Sequence, residues 1–217
     1  MDWDNDYQGR TYRWGKGPSE LALFAFRHIR EWAPSRDTLS IIDIGCGYGR
    51  DAFYLARNIG CTILGIDSSQ EAVTLAESDI PEGYAGKIRF RLQDFLSLPA
   101  DNKYDIVFAS MVLHALGPDD RAKLCGIIKS VLKPQGHVFL STLSVSDPQH
   151  YGKGTPVAGE TNSFVDQRYR HLFTSEELQR DFDFLSVKDL VEHEFDEHLA
   201  EGKVHHHILW LLAGALK

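Results

Sequence analysis

The chain has 217 residues, 43% of them hydrophobic, which is enough to bury one full core without covalent staples. A formal net charge of −8 with no cluster of Lys and Arg argues against a phosphate-rich partner, so nucleic acid is not expected. There is no apolar run of about 18 residues and no basic-then-apolar leader, and Cys46, Cys61 and Cys125 are too scattered for a disulfide framework, so no membrane association and a reducing, cytoplasmic setting are expected.

Residues 1–17 carry Trp3, Tyr7, Tyr12 and Trp14 among Asp, Arg and Lys with no sustained period, which makes an arm that is either frayed or folded over something. Pro18 opens a helix whose apolar positions, Leu21, Phe24, Ala25, Ile29 and Trp32, recur at three- and four-residue steps until Pro34 stops it.

The next segment organises everything after it. An apolar strand ending in Asp43 and Ile44 breaks into Gly45-Cys46-Gly47-Tyr48-Gly49 and then turns helical through Ala52, Phe53, Leu55 and Ala56. Alternate glycines let backbone approach a ligand closely, and a helix start directs unpaired N–H groups at it, so a nucleotide-like cofactor is predicted. The dinucleotide pattern G-x-G-x-x-G/A requires a small residue where this chain has Arg50; the pattern here is D-x-G-x-G-x-G. A second strand, Cys61 to Ile66, ends at Asp67, an acid placed to accept hydrogen bonds from ribose hydroxyls. Ser68 to Glu71 then forms a capping box for a helix through about Glu77.

The strings IDIGCGYGRDAFYLA and GIDSS resemble the S-adenosylmethionine site of class I methyltransferases, and GRDAFYLA is similar to the small-molecule branch that includes the tellurite-resistance and thiopurine-type enzymes. The resemblance is strong over residues 39–143 and loose on both flanks. It implies an α/β, Rossmann-like, doubly wound sheet of seven mostly parallel strands ending in an antiparallel pair, with S-adenosyl-L-methionine as cofactor. By position it implies that Asp43, Gly45, Cys46 and Gly47 form the cofactor loop and that Asp67 and Ser68 lie at the ribose. Asp94 and Phe95, after a third strand, Lys87 to Leu92, would lie at the adenine. Ser110, after a fourth strand, Tyr104 to Ala109, would border the methyl. WGKGPSE resembles the segment that closes over the methionine end, which makes Trp14 and Lys16 candidates for the carboxylate pocket.

Side chains following the fourth strand stand at a carboxyl edge where ligands bind in open α/β sheets, so His114 is a candidate base or substrate contact. The N/D-P-P-Y/F/W string of enzymes acting on base or amide nitrogens is absent, which argues against those targets. An amphipathic helix, Asp119 to Leu132, leads through LKPQG into a fifth strand, His137 to Leu143, and the positive φ of that turn is assigned to its one glycine. Periodicity then stops from Ser144 to His171, which predicts a long binding loop or lid as the source of substrate specificity. His171 enters as a second candidate catalytic residue beside the RHLFTSEEL string, which also resembles these enzymes. Phe184 to Glu192 and Val204 to Leu212 are predicted as the antiparallel pair. Alternation places His205 and His207 on one face, as a pH-sensitive or substrate-lining surface; no metal ligand is assigned for want of a defined spacing.

A single domain follows: an arm and helix to residue 34, a cofactor core over 39–143, a lid over 144–173 and a terminal helix and strand pair. The expected activity is methyl transfer from S-adenosylmethionine to a small molecule at the carboxyl edge, by a monomer or homodimer. A cofactor-binding partner protein without catalysis is the alternative, and a nicotinamide oxidoreductase, opposed by Arg50, is the lesser one.

Overall fold

The computed structural model describes residues 3–10, 12–33, 38–101, 103–198, 202 and 204–217. Pro34, expected to end the first long helix, lies outside them. The arm holds a short helix, α1 (Asp4–Tyr7), and a 3-10 turn, Gln8–Arg10, and is followed by α2 (Glu20–Trp32), capped by the Ser19 side chain, which accepts from Ala22 N–H. β1 (Leu39–Ile44) leads through the glycine loop into α3 (Arg50–Asn58), then β2 (Cys61–Asp67), α4 (Gln70–Ser78), β3 (Ile88–Leu92), β4 (Tyr104–Ser110), α5 (Pro118–Val131) and β5 (Leu132–Leu143). The predicted lid contributes β6 (Thr155–Pro156), β7 (Ser163–Asp166) and β8 (Arg168–His171), after which come α6 (Ser175–Asp181), β9 (Leu185–His198) and β10 (Val204–Leu216).

Seven strands form one sheet in the order β3-β2-β1-β4-β5-β10-β9, parallel from β3 to β5 and antiparallel on both sides of β10. This is the predicted architecture. Strand alternation sorts the core: Ile41 faces the layer of α2, α3 and α4, whereas Ile42 and Ile44 face the layer of α5 and α6. The strand order reverses between β1 and β4, and at such a switch point the connections diverge and leave a crevice outside the carboxyl ends. Among the described residues no helix is long and apolar enough to cross a membrane.

Three local expectations change. Segment 144–171 is not a structureless loop, because β6, β7 and β8 pair antiparallel as a small sheet of their own, with Ser163 opposite His171 and Asp166 opposite Arg168 across a single residue, Gln167, at φ 56°. The terminal hairpin is longer than predicted. The strands run four to six residues beyond their expected ends and pair from Leu185–Leu216 to His198–Val204, carrying the histidines with them. At LKPQG the positive φ belongs to Gln135, at 60°, and Gly136 is required for space, since a Cβ there would meet the Lys133 carbonyl oxygen at 2.9 Å. A left-handed non-glycine residue costs about 1–2 kcal/mol, offset in part by the greater freedom of glycine in the unfolded chain. Gln135→Gly is therefore expected to raise stability by about 1 kcal/mol, read as a melting shift of about 3 °C at this chain length. A lower midpoint would show that contacts of the Gln135 side chain hold the turn.

Candidate active site

The glycine loop folds back on β2. Gly45 N–H and Cys46 N–H both donate to the Ile66 carbonyl, at 2.8 and 3.0 Å, and Gly49 N–H donates to the Cys46 carbonyl at 2.9 Å. Gly47 N–H donates to Asp67 Oδ2 at 2.8 Å, and Asp67 Oδ1 accepts Ser69 N–H at 2.9 Å. These four loop amides are thus engaged inside the protein rather than directed at a ligand. Glycine is needed at Gly45 and Gly49 on two counts, since φ is 71° and 78°, and an added Cβ would meet Val112 and Phe90 at 2.4 Å. Burial drives the Asp67 carboxyl above its usual pKa, against the hydrogen bonds from Ser69 and Gly47 that lower it.

A cavity of about 950 Å³ opens at the switch point. Gly45, Cys46, Gly47, Asp67, Ser68, Asp94, Phe95, Ser110 and Trp14 all line it, as does His114. The helix cap that sequence reading placed at Ser68 is Ser69, whose side chain accepts Ala72 N–H at 3.1 Å, so Ser68 is left exposed at the cavity wall. Asp94 accepts Leu96 N–H at 2.9 Å, so it caps a short 3-10 turn while lining the cavity. Ser110 stands 3.3 Å from Ser141 Oγ and 3.5 Å from Ser19 Oγ. Three of the expected site residues lie elsewhere. Lys16 does not line the cavity; it crosses the Tyr12 ring at 3.7 Å and reaches Asp79 at 3.6 Å. Asp43 is buried, its Oδ2 without a partner among the described residues, and burial and then the charges of Asp51 and Asp67 raise its pKa well above the usual carboxylate range. His171 is buried in the small sheet, its Nδ1 2.8 Å from Ser163 Oγ and its Nε2 3.6 Å from Glu177.

The arm is folded over the loop. Tyr7 packs against Gly47 and forms an aromatic cluster with Trp14, Tyr12 and Tyr48, whose hydroxyl donates to the Gly15 carbonyl at 2.6 Å. Asp51 of α3 accepts both Ser19 N–H and Ser19 Oγ–H, at 2.7 and 2.8 Å, fixing the start of α2 beside the loop. Arg168 of β8 pairs with Asp6 and lies over the Trp3 ring at 4.5 Å, so arm and small sheet meet across the cavity.

The cavity is also lined by Met111, His150, Tyr169, Arg170, Glu197, His205 and His207, of which sequence reading singles out His205 and His207 as a shared face. Met111 holds φ 57° directly after β4, a conformation no sequence signal announces for methionine. Its N–H is held by the Ser141 carbonyl at 3.1 Å. Among the described residues His114 Nδ1 is buried without a hydrogen-bond partner, and burial, followed by the electrostatic influence of His150, Arg170 and His207, lowers its pKa to about 3. His207 is raised to about 9, since hydrogen bonds and charge from Asp147 and Glu197 outweigh the larger opposing effect of burial. His205 and His207 do share the cavity face, while His206 points away to Asp196 and Glu194.

A family model described as a methyltransferase domain matches residues 41–136, which span β1, the glycine loop and the turn into β5. Over that stretch the chain is similar to a methyltransferase domain. Methyltransferase GfsG of Streptomyces halstedii is 31% identical over 108 residues, covering 48% of this chain and 38% of that protein. The chain spans less than half the length of most of the curated relatives it matches. A methyltransferase structure from Anabaena variabilis superposes with a TM-score of 0.72 at 19% identity over 99% of this chain and 93% of that one. The 1,6-didemethyltoxoflavin-N1-methyltransferase of Burkholderia thailandensis, solved with S-adenosylhomocysteine, gives 0.63 at 17% identity over 91% and 79%. These two likenesses concern the fold. The cofactor of the class is S-adenosylmethionine, and the cavity fits it. Loop amides already bonded to Ile66 and Asp67 are not free to cradle a pyrophosphate, whereas Asp67, Ser68, Asp94 and Phe95 in the cavity lining offer acceptors and a ring face to a phosphate-free adenosine.

Proposed function

We propose that this protein transfers the methyl group of S-adenosylmethionine to a small-molecule acceptor held at the carboxyl ends of β4 and β5. The observation that carries the reading is the engaged glycine loop: the amides of Gly45, Cys46, Gly47 and Gly49 are bonded within the protein, so a dinucleotide is disfavoured and an adenosyl sulfonium is accommodated. Gly45 to Gly47 would back the methionine part, with Trp14 closing over it, Asp67 and Ser68 would take the ribose hydroxyls, and Asp94 and Phe95 the adenine. The cofactor, when bound, supplies an activated methyl electrophile. The protein's task is then to align a nucleophile and exclude water, which the arm and small sheet do by meeting through Arg168, Asp6 and Trp3.

At a pKa of about 3 His114 is a poor proton acceptor at neutral pH, so its role is to border the acceptor as a neutral ring. That favours acceptors nucleophilic without its help, such as a thiolate or another soft or already ionised atom. Nucleic acid and membrane surfaces are not substrates in this reading, and the acceptor is a free small molecule.

Calorimetry provides the test. S-adenosylhomocysteine is expected to bind with a dissociation constant on the order of micromolar, about −8 kcal/mol, and NAD not to bind. Labelled methyl transfer to thiols, oxyanions, amines and small acids then identifies the acceptor. Tight NAD binding without S-adenosyl binding would overturn the reading; S-adenosyl binding with no transfer to any acceptor would favour a cofactor-binding partner protein.

A further inference from the structure

Asp147 is fully buried, where an isolated carboxylate is costly. Its Oδ1 accepts the N–H groups of Gln149 and His150, at 2.9 and 3.0 Å, and its Oδ2 that of Ile208 at 3.0 Å, so the group is pinned by backbone from two segments. Two imidazoles address the same carboxylate through the same ring atom: His150 Nδ1 lies 3.0 Å from Oδ1 and His207 Nδ1 3.2 Å from Oδ2. Their rings stack with centroids 5.3 Å apart and planes 11° apart. Ligand atoms of all three residues lie within 4.8 Å of one another.

We propose that Asp147, His150 and His207 bind a divalent transition-metal cation at the acceptor end of the cavity. Donors that sit about 2.0–2.2 Å from one ion stand roughly 3 Å apart, the separation already seen between the carboxylate and each Nδ1, so a cation would replace the shared protons once one of the two near-parallel rings turns to bring both lone pairs onto it. Two imidazoles with one carboxylate form a borderline N/O donor set, suited to Zn, Co, Ni or Fe(II) rather than to Mg or Ca. The outer partner a ligating histidine requires is present as well. Glu197 Oε2 stands 3.6 Å from Nε2, on the opposite edge of the His207 ring, where it would receive the remaining N–H and hold the ring's orientation. His150 and His207 both line the cavity, so coordination positions left by the protein would be open to a small molecule there. The segment carrying Asp147 and His150 leads into the small sheet and His207 belongs to the hairpin, so a bound ion would also tie these two elements together. The site does not depend on the identity of the cofactor.

The test uses full-length protein, freed of any polyhistidine tag and stripped with a chelator, then titrated with Co²⁺ by visible absorption and with Zn²⁺ by calorimetry. One equivalent should bind, with a ligand-field band in the Co²⁺ spectrum. His150→Ala and His207→Gln should each weaken binding at least about 10-fold, whereas His206→Ala, on the opposite face with Glu194 and Asp196, should leave it unchanged. A retained cooperative urea-unfolding transition certifies that each variant is folded, and His150→Ala carries the test alone if the buried His207 does not tolerate replacement. Absence of a stoichiometric site, indifference to both variants, or loss on His206→Ala would overturn the proposal and leave Asp147 as a hydrogen-bonded clamp.

Discussion

Asp67→Ala is expected to weaken S-adenosylhomocysteine binding by about 1.5–3 kcal/mol, roughly 10- to 150-fold, the scale for hydrogen bonds to a charged group. The same change should also cost stability. Asp67 Oδ2 accepts Gly47 N–H and Oδ1 accepts Ser69 N–H, so truncation strands two donors around a nearly buried position, at about 1–3 kcal/mol each where water cannot replace the lost oxygen. Calorimetric affinity and urea unfolding, measured on one preparation, separate the two effects. A variant whose midpoint falls while its affinity stays that of the wild type would show that Asp67 only tethers the loop to α4, and ribose recognition would then be sought at Ser68.

The parts of this molecule that could be read from sequence are those in which one residue type admits one physical use. The D-x-G-x-G-x-G run was readable because left-handed φ and close packing both demand glycine at Gly45 and Gly49, and the structure has both. The antiparallel terminal pair was readable because its connection was too short for a helix. The destinations of the loop amides were not readable, since backbone donors carry no sequence label: they could as well have faced a ligand as Ile66 and Asp67.

The small sheet escaped for a different reason. Its strands are two to four residues long, and β8 reads Arg-Tyr-Arg-His, so neither alternation nor β-branched enrichment marks it. His171 looked like a site residue by virtue of its type, and only the pairing of Ser163 with His171 shows that it is enclosed. Lys16 lies two residues from Trp14 in the chain, yet Trp14 lines the cavity while Lys16 is held by Tyr12 and Asp79, contacts that no local pattern announces. The grouping of Asp147, His150 and His207 depends on a residue 57 positions after the second meeting the first two in space, a long-range fact that no local spacing encodes.

Lowering the pH from 7 to 5 is expected to destabilise the protein by about 2 kcal/mol through His171 alone. The ring is buried between Ser163 Oγ and Glu177 and packs edge-on against Phe173; burial, then the charge of Arg121 and, more weakly, Arg180, lowers its pKa to about 4 despite Glu160 pulling the other way. In the unfolded chain the same group titrates near 6.5. Between those values the unfolded state binds a proton that the folded state refuses, so stability is complete above about 6.5, falls as the pH drops, and stops falling below about 4. At about 1.4 kcal/mol per pH unit the loss is about 2 kcal/mol at pH 5 and about 3 kcal/mol at its limit. His171→Gln, which keeps an amide to meet Ser163, removes this titration and should flatten the acid limb by that amount, whatever it costs at neutral pH. Urea unfolding of both proteins at pH 7 and pH 5 yields the difference of differences, in which every other carboxylate and histidine cancels to first order. Parallel losses in the two proteins would mean that His171 is protonated without opening the small sheet, and that its enclosure by Ser163, Glu177 and Phe173 is looser than the packing implies.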